Sequence, residues 1–219
     1  MTNVLTSRNP LIVLSGPSGA GKTTVARRLI AENDRFVFSI SATTRLARRN
    51  EIHGVDYFFL SEVDFTTMVE AGDFLEWAEV HGQKYGTLRE QLESASRLDK
   101  FLIMDIDVQG AAQIKSQIDD IIMIFIIPPS AKVLVERLRI RGTEKKDRLV
   151  ERLRNAREEV ARAKVFDYML VNENLDRVMN QIEGIVTTDD QSEIEGIDLS
   201  GQIRQFQTGV DEVLDSLLE

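Results

Sequence analysis

The chain has 219 residues, 42% of them apolar and 29% charged, enough for one large domain or one core with insertions. It contains no cysteine, which excludes disulfides, zinc–thiolate sites and thiol chemistry and suits a reducing, cytoplasmic compartment. The net charge is −9, no basic face runs over the chain, and no apolar run approaches about 18 residues, so neither nucleic acid nor a membrane is expected as a partner.

The charge is unevenly placed. Residues 180–219 carry 10 acidic side chains against one basic one, Arg204, whereas residues 1–179 are neutral. The opening MTNVLTSRNP lacks a basic stretch followed by an apolar one and reads as a short tail. Leu11–Leu14 is a short apolar run of the buried parallel-strand kind, and Val25, Leu29 and Ile30 mark one face of a helix ending near Asn33. Phe36–Ile40 and Tyr57–Leu60 read as strands. Ser61-Glu-Val-Asp64 opens a helix with capping-box spacing. Phe74–Val80 is a strand, Leu88–Leu98 a helix and Phe101–Asp105 a buried strand ending in a carboxylate. A helix over Ala111–Ile118 and the apolar strand Ile121–Ile127 follow, and Ser130 can cap the next helix, which Arg141-Gly142-Thr143 breaks. A charged helix over 147–164, a strand over Tyr168–Val171 and a helix carrying Leu175, Val178, Met179, Ile182 and Ile185 complete the alternation.

Strands alternating with helices predict an α/β fold with a parallel sheet flanked by helices. The interval 41–98 is too long and too strand-rich for a crossover helix and reads as an inserted subdomain. Thr187–Gly209 is polar, acidic and without period, which predicts a linker; Val210, Val213, Leu214, Leu217 and Leu218 then make a small amphipathic helix. That helix has two candidate neighbours, its own body or a second copy of the chain in a homo-oligomer. The extension is expected to be dispensable for chemistry.

Gly16, Pro17, Ser18, Gly19, Ala20, Gly21, Lys22 and Thr23 form the phosphate-binding pattern G-x-x-x-x-G-K-T between a buried strand and an amphipathic helix, and Thr24 follows as a further candidate for ATP binding. Glycines let backbone N–H groups converge on phosphate oxygens, and the helix N-terminus adds favourable partial charge. Lys22 reaches the β- and γ-phosphates, and the Thr23 hydroxyl suits Mg²⁺. Asp105 and Asp107 stand at the end of a strand, where a carboxylate can hold the ion directly or through water. Between Arg137 and Lys164 lie 11 basic residues against five acids, a local density that suits a small polyphosphate. Arg45, Arg48, Arg137, Arg141 and Arg152 are candidates to surround a transferring phosphoryl group when a lid closes. His53 and His81 have no metal-ligand spacing.

Together these residues resemble the guanylate kinases. The resemblance runs from about Leu11 to Ile185, through Ser15-Gly-Pro-Ser-Gly-Ala-Gly-Lys22, Ser41-Ala-Thr-Thr-Arg45, Glu51-x-x-Gly54-x-x-Tyr57, Phe74-Leu-Glu76-Trp-Ala78, Tyr85-Gly-Thr87, Asp105-Ile-Asp107-x-Gln109-Gly110 and Pro128-Pro-Ser130 with Arg137 and Arg141-Gly142-Thr143. It implies transfer of the ATP γ-phosphate to GMP and dGMP, with Mg²⁺ as cofactor. Ser41, Glu76 and Thr87 would read guanine with Asp107 close by; Arg45, Arg48, Tyr57 and Tyr85 would hold the GMP phosphate. Lys22, Arg45, Arg137, Arg141 and Arg152 would act on the reacting phosphates, and Thr23 and Asp105 on the metal. The implied domains are a core of 1–40, 99–135 and 165–186, a GMP-binding subdomain of 41–98, a lid of 136–164 and an acidic extension of 187–219.

Elementary chemistry agrees. Guanine presents N1–H and a 2-amino group side by side, which one carboxylate accepts in parallel, whereas adenine offers an acceptor at N1. The acceptor is already a phosphate dianion, so no strong general base is needed. A sugar-phosphate kinase has no use for Glu76, Ser41 and Thr87 together, a non-catalytic binding module typically lacks the intact loop, and a GTPase switch needs an Asn-Lys-x-Asp motif that this sequence lacks. Two departures stand out: Arg45-Leu-Ala47-Arg48-Arg49-Asn50-Glu51 lacks the proline and glycine usual in that family loop, and Lys84 replaces a common aromatic or Asn.

Overall fold

The computed structural model describes residues 11–80, 82–140, 146–187 and 199–218. The expected N-terminal tail, His81, the helix break at Arg141-Gly142-Thr143 and residues 188–198 of the expected linker lie outside them.

The elements alternate as the apolar runs require: β1 (Leu11–Ser15), α1 (Lys22–Glu32), β2 (Phe36–Phe38), β3 (Ala42–Thr43), β4 (Phe58–Phe59), α2 (Glu62–Ala71), β5 (Phe74–Val80), β6 (Gln83–Leu88), α3 (Arg89–Arg97), β7 (Phe101–Asp105), α4 (Val108–Lys115), β8 (Ile121–Ile127), α5 (Ala131–Ile140), α6 (Lys146–Ala161) with a 3₁₀ turn (Arg162–Val165), β9 (Tyr168–Val171), α7 (Leu175–Thr187) and α8 (Leu199–Leu218). Two compact units share this chain, and the division passes through β1.

The first unit takes the described residues of Met1–Val13 and Ile30–Ile121. In it β2, β7 and β1 are successive neighbours in a sheet, β2 and β7 running parallel. A separate four-stranded sheet, ordered β4-β3-β6-β5, is built wholly from residues 42–88. Its small core is Ala42, Phe65 and Phe74, with Phe58, Leu60, Met68, Val69 and Leu88 packed against them. Helix α2 supplies Phe65 and starts where the capping-box spacing predicts: Ser61 Oγ accepts from Asp64 N at 3.0 Å, and Gly72 ends it in the left-handed conformation.

The second unit takes the described residues of Leu14–Leu29 and Ile122–Glu219. Here β1, β8 and β9 are successive neighbours, β8 and β9 parallel, and Ile124, Phe125 and Ile126 are fully buried, as a strand covered on both faces should be. No helix among the described residues is long and apolar enough to cross a membrane.

Several boundaries differ from the sequence expectation. β2 stops at Phe38, and the strand expected over 57–60 shrinks to Phe58–Phe59. α4 starts at Val108, not Ala111, because Asp107 caps it, its Oδ1 accepting from Gln109 N and Gly110 N at 2.9 and 2.8 Å. The largest difference is α8, which begins at Leu199 inside the stretch expected to be linker. Ile203, Phe206, Val210 and Leu214 recur at helical spacing and are buried, where the helix packs on α5, α6 and the 3₁₀ turn. Arg157 Nε meets Asp211 Oδ1 at 2.7 Å and Gln207 Nε2 donates to Arg157 O at 3.2 Å. Of the five apolar residues that mark this helix, Val210 and Leu214 are thus covered by the chain's own body, while Leu218 is exposed.

The extension therefore contributes to stability. Phe206→Ala removes a buried ring and is expected to lower the unfolding free energy by about 3–5 kcal/mol, read as a drop in the urea midpoint at unchanged m-value.

Candidate active site

The phosphate loop belongs to the second unit. It links β1 to α1 with Gly16, Gly19 and Gly21 all at positive φ. Gly16 has two reasons to be glycine: φ is 138°, and a Cβ there would run into the Ile126 carbonyl oxygen on β8. Lys22 Nζ donates to Gly16 O at 2.7 Å, so the ammonium lies over the loop it serves. The Ala20 carbonyl accepts from Asn172 Nδ2 at 2.7 Å and Arg137 Nη1 at 3.2 Å, and Arg137 Nη2 donates to Asn172 O at 3.0 Å. Two side chains, themselves hydrogen-bonded to each other, thereby lock the loop to the end of β9 and to α5. Burial pushes the Arg137 guanidinium below its ordinary value, but it stays charged. Arg152 Nη2 on α6 donates to Ser18 Oγ at 2.7 Å. A cavity of about 410 Å³ beside the loop is lined by Gly21, Thr24, Arg137, Asn172 and Leu175, among others. Of the expected phosphate-handling residues, Lys22, Arg137 and Arg152 thus all touch the loop or its anchor. Arg141 lies outside the described residues. Asn172 was missed; its only sequence signal is a polar side chain just past a buried strand.

A second cluster belongs to the first unit, in the sheet of residues 42–88. Arg45 Nη2 meets Glu51 Oε1 at 2.8 Å, and its guanidinium lies over the rings of Tyr57 and Phe59 at 5.3 and 5.8 Å. Tyr85 stands edge-on to Tyr57 at 6.2 Å. Arg48 joins through its backbone, whose N–H donates to Glu51 Oε2 at 2.7 Å, while its side chain is exposed. Glu51 therefore ties the two arginines together in the loop that lacks the family's proline and glycine. The hydrogen bond from Arg45 pulls the Glu51 carboxyl below its ordinary range and raises Arg45 in turn. Burial pushes the Tyr57 phenol up. The sequence signal for the role of Glu51 is its spacing of three from Arg48.

Glu76 and Thr87 face each other across β5 and β6, with Thr87 Oγ1 donating to Glu76 Oε1 at 2.7 Å. Both are buried, Glu76 to 6% exposure. Its direction depends on a β-bulge. Phe74 pairs with Leu88 and Glu76 with Thr87, so Leu75 is an extra residue on β5. In a regular strand Phe74 and Glu76 would share a face. Here Phe74 and Trp77 share one, both against Phe65 at 4.5 and 6.3 Å, and Glu76 turns to the other. Burial lifts its carboxyl to about 7, helped by the charge of Asp107 and opposed by the Thr87 hydroxyl. Ser41 is half-buried just before β3, its carbonyl accepting from Phe58 N at 2.9 Å. Asp107 is engaged as the cap of α4, and Asp105 ends β7 half-buried. Among the described residues no group of three His, Cys, Asp or Glu could cage a metal ion.

Comparison with known proteins adds a family. Residues 7–189 match the family model described as guanylate kinase. The guanylate kinase of Thermotoga maritima is 44% identical over 182 residues, 83% of this chain and 88% of that protein. That of Anaeromyxobacter dehalogenans is 48% identical over 178 residues, covering 80% and 79%. The crystal structure of guanylate kinase from Anaplasma phagocytophilum superposes with a TM-score of 0.66 at 31% identity, covering 97% of this chain and 96% of that one.

The raised Glu76 carboxyl has a stability consequence. The folded protein holds this proton up to about pH 7, the unfolded chain only to its ordinary value of 4.5. Stability from this group is therefore full below 4.5 and is lost as pH rises to 7, on the order of 3 kcal/mol. Chemical denaturation of wild type and Glu76→Gln between pH 4.5 and 8 is expected to show a difference that falls through this window and flattens above it.

Proposed function

The chain belongs to the guanylate kinase family and phosphorylates GMP at the expense of ATP, and we propose that Glu76, Thr87 and Ser41 select the guanine. The observation that carries this reading is the bulge-directed, buried Glu76 carboxylate with its hydroxyl partner. Thr87 occupies one lone pair of Oε1, which leaves both oxygens able to accept, in parallel, from N1–H and the 2-amino group. Adenine would leave the carboxylate desolvated and unpaired, a penalty large enough for strong discrimination. In this reading Arg45, Tyr57 and Tyr85 hold the GMP phosphate with Arg48, and Asp107 borders the base. Each is assigned to base or phosphate and none to the ribose 2′-hydroxyl, so dGMP is proposed as an acceptor alongside GMP.

The donor side is assigned to the phosphate loop Gly16–Thr24, with Lys22 on the β- and γ-phosphates. The cavity between α5 and the end of β9 is assigned to the rest of ATP. Arg137 and Arg152 already contact the loop or its anchor, and with Arg45 and Arg141 they would neutralise charge spreading over the transferring group. The Thr23 hydroxyl and the Asp105 carboxylate are hard oxygen donors of the kind Mg²⁺ prefers. Thr23 and Asp105 would hold the Mg²⁺ ion, which would supply positive charge to offset that of the phosphates. GMP attacks as a phosphate oxygen, so the protein moves no proton at that step. The domains follow the same division of labour: a core of 1–40, 99–135 and 165–186, a GMP-binding part of 41–98, a lid of 136–164 that excludes water, and the extension 187–219. The site of action is placed in the cytoplasm, which suits a cysteine-free chain.

Turnover of Mg·ATP with GMP, dGMP, AMP, CMP and UMP is expected to be confined to the two guanine nucleotides. Glu76→Gln is expected to cut kcat/KM for GMP about 10²-fold while leaving the KM for ATP unchanged. Equal loss on the ATP side would assign Glu76 a structural role instead. In wild type the KM for GMP should also rise as pH falls below about 7, where Glu76 protonates, and Glu76→Gln should lack that limb.

A further inference from the structure

β5 lies at the edge of its sheet, with β6 on one side only, so the peptide groups of its outer edge need other partners. α4 and the turn after it supply them. Gln113 Nε2 donates to Trp77 O at 2.9 Å, and Trp77 N donates to Gln113 Oε1 at 3.3 Å, so one side-chain amide replaces a neighbouring strand. Gln117, four residues on, donates from Nε2 to Leu75 O at 2.9 Å. Arg89 sets the orientation of that second amide: Nη2 donates to Gln117 Oε1 at 3.2 Å and Nε to Gly72 O at 2.8 Å. An arginine can only donate, so the oxygen faces Arg89 and the NH₂ faces Leu75.

The two pinned residues flank Glu76, and Leu75 is the bulge residue. A bulge leaves its extra residue out of the ladder, and slipping it by one position would return Glu76 to the face of Phe74 and Phe65. The same helix approaches Glu76 directly, since a Cβ at Gly110 would stand 2.7 Å from Glu76 Oε2. Gly110 and Gln113 lie three apart on α4 and so share one face, and Gln117 in the turn that follows reaches the same strand edge.

We infer that Gln113 and Gln117 are positioning residues for guanine selectivity: they lock the bulge at Leu75 and thereby aim the Glu76 carboxylate at the base. This rests on the reading of Glu76 as the guanine acceptor. Neither glutamine touches nucleotide; each acts through the backbone of β5.

A double-mutant cycle on the full-length protein tests it. Gln113→Met keeps length and volume but removes both hydrogen bonds. It is expected to raise the KM for GMP roughly tenfold with little change in kcat, to lower the preference for GMP over inosine monophosphate, which lacks the 2-amino group, and to leave the KM for ATP unmoved. In a Glu76→Gln background the same substitution is expected to add nothing, because the group it aims is gone. A full tenfold effect persisting there, or none in the wild-type background, overturns the inference. Gln117→Met, at a residue more exposed than Gln113, should act in the same direction if Gln113→Met does not fold, and its silence would equally overturn it. If Glu76→Gln by itself leaves GMP turnover intact, the guanine reading fails instead.

Discussion

The acceptor side of this protein depends on burying a carboxylate whose hydrogen-bond donor is a hydroxyl. Glu76 is 6% exposed and meets Thr87, and burial lifts its carboxyl to about 7. A buried acceptor in that state favours the proton until a better set of donors arrives. On the proposed reading, guanine brings two donors in the right arrangement and other bases leave the group short. Selectivity so proposed follows from the cost of leaving Glu76 unpaired, and that cost exists only if the side chain is kept away from water and off the apolar cluster.

The bulge at Leu75 meets the second condition. Strand geometry alternates faces, so Phe74 and Glu76 cannot be placed on opposite faces of a regular strand. One extra residue changes the parity: Phe74 and Trp77 go to Phe65, and Glu76 goes to Thr87. The close approach of Gly110 and the amides of Gln113 and Gln117 complete the arrangement from α4 and the turn after it. The cap of that helix, Asp107, also contributes charge at Glu76, so one short helix serves both geometry and electrostatics.

The donor side follows a comparable logic with different groups. A loop that must present N–H groups to phosphate cannot also use its own side chains for rigidity, so its Ala20 carbonyl is gripped from outside by Asn172 and Arg137. The arginine loop 45–51 shows substitution of means. It lacks the proline and glycine common in its family, and a carboxylate, Glu51, holds Arg45 by its guanidinium and Arg48 by its backbone. An ion pair only partly shielded from water is worth little as stability, but here it fixes where a cation waits.

Much of this was legible in the chain itself. The continuous apolar runs over 11–14, 101–105 and 121–127 mark buried strands because both their faces must be apolar, and the loop pattern from Gly16 to Thr23 marks its own turn because only glycine accepts those angles. Ser61 marked its helix because a cap is a local bond. What failed to show was non-local. Strand β3 is only two residues long and β6 largely polar, so that only pairing defines them, and α8 starts early because α5 and α6 cover its apolar face. Sequence alone thus determined the residue types, the fold class and the family, all carried by local pattern and spacing. Tertiary structure alone decided which face Glu76 takes, that Asn172 holds the loop and that two glutamines hold the strand edge. Those depend on one extra residue in a ladder and on hydrogen bonds between segments far apart in the chain, which no local period encodes.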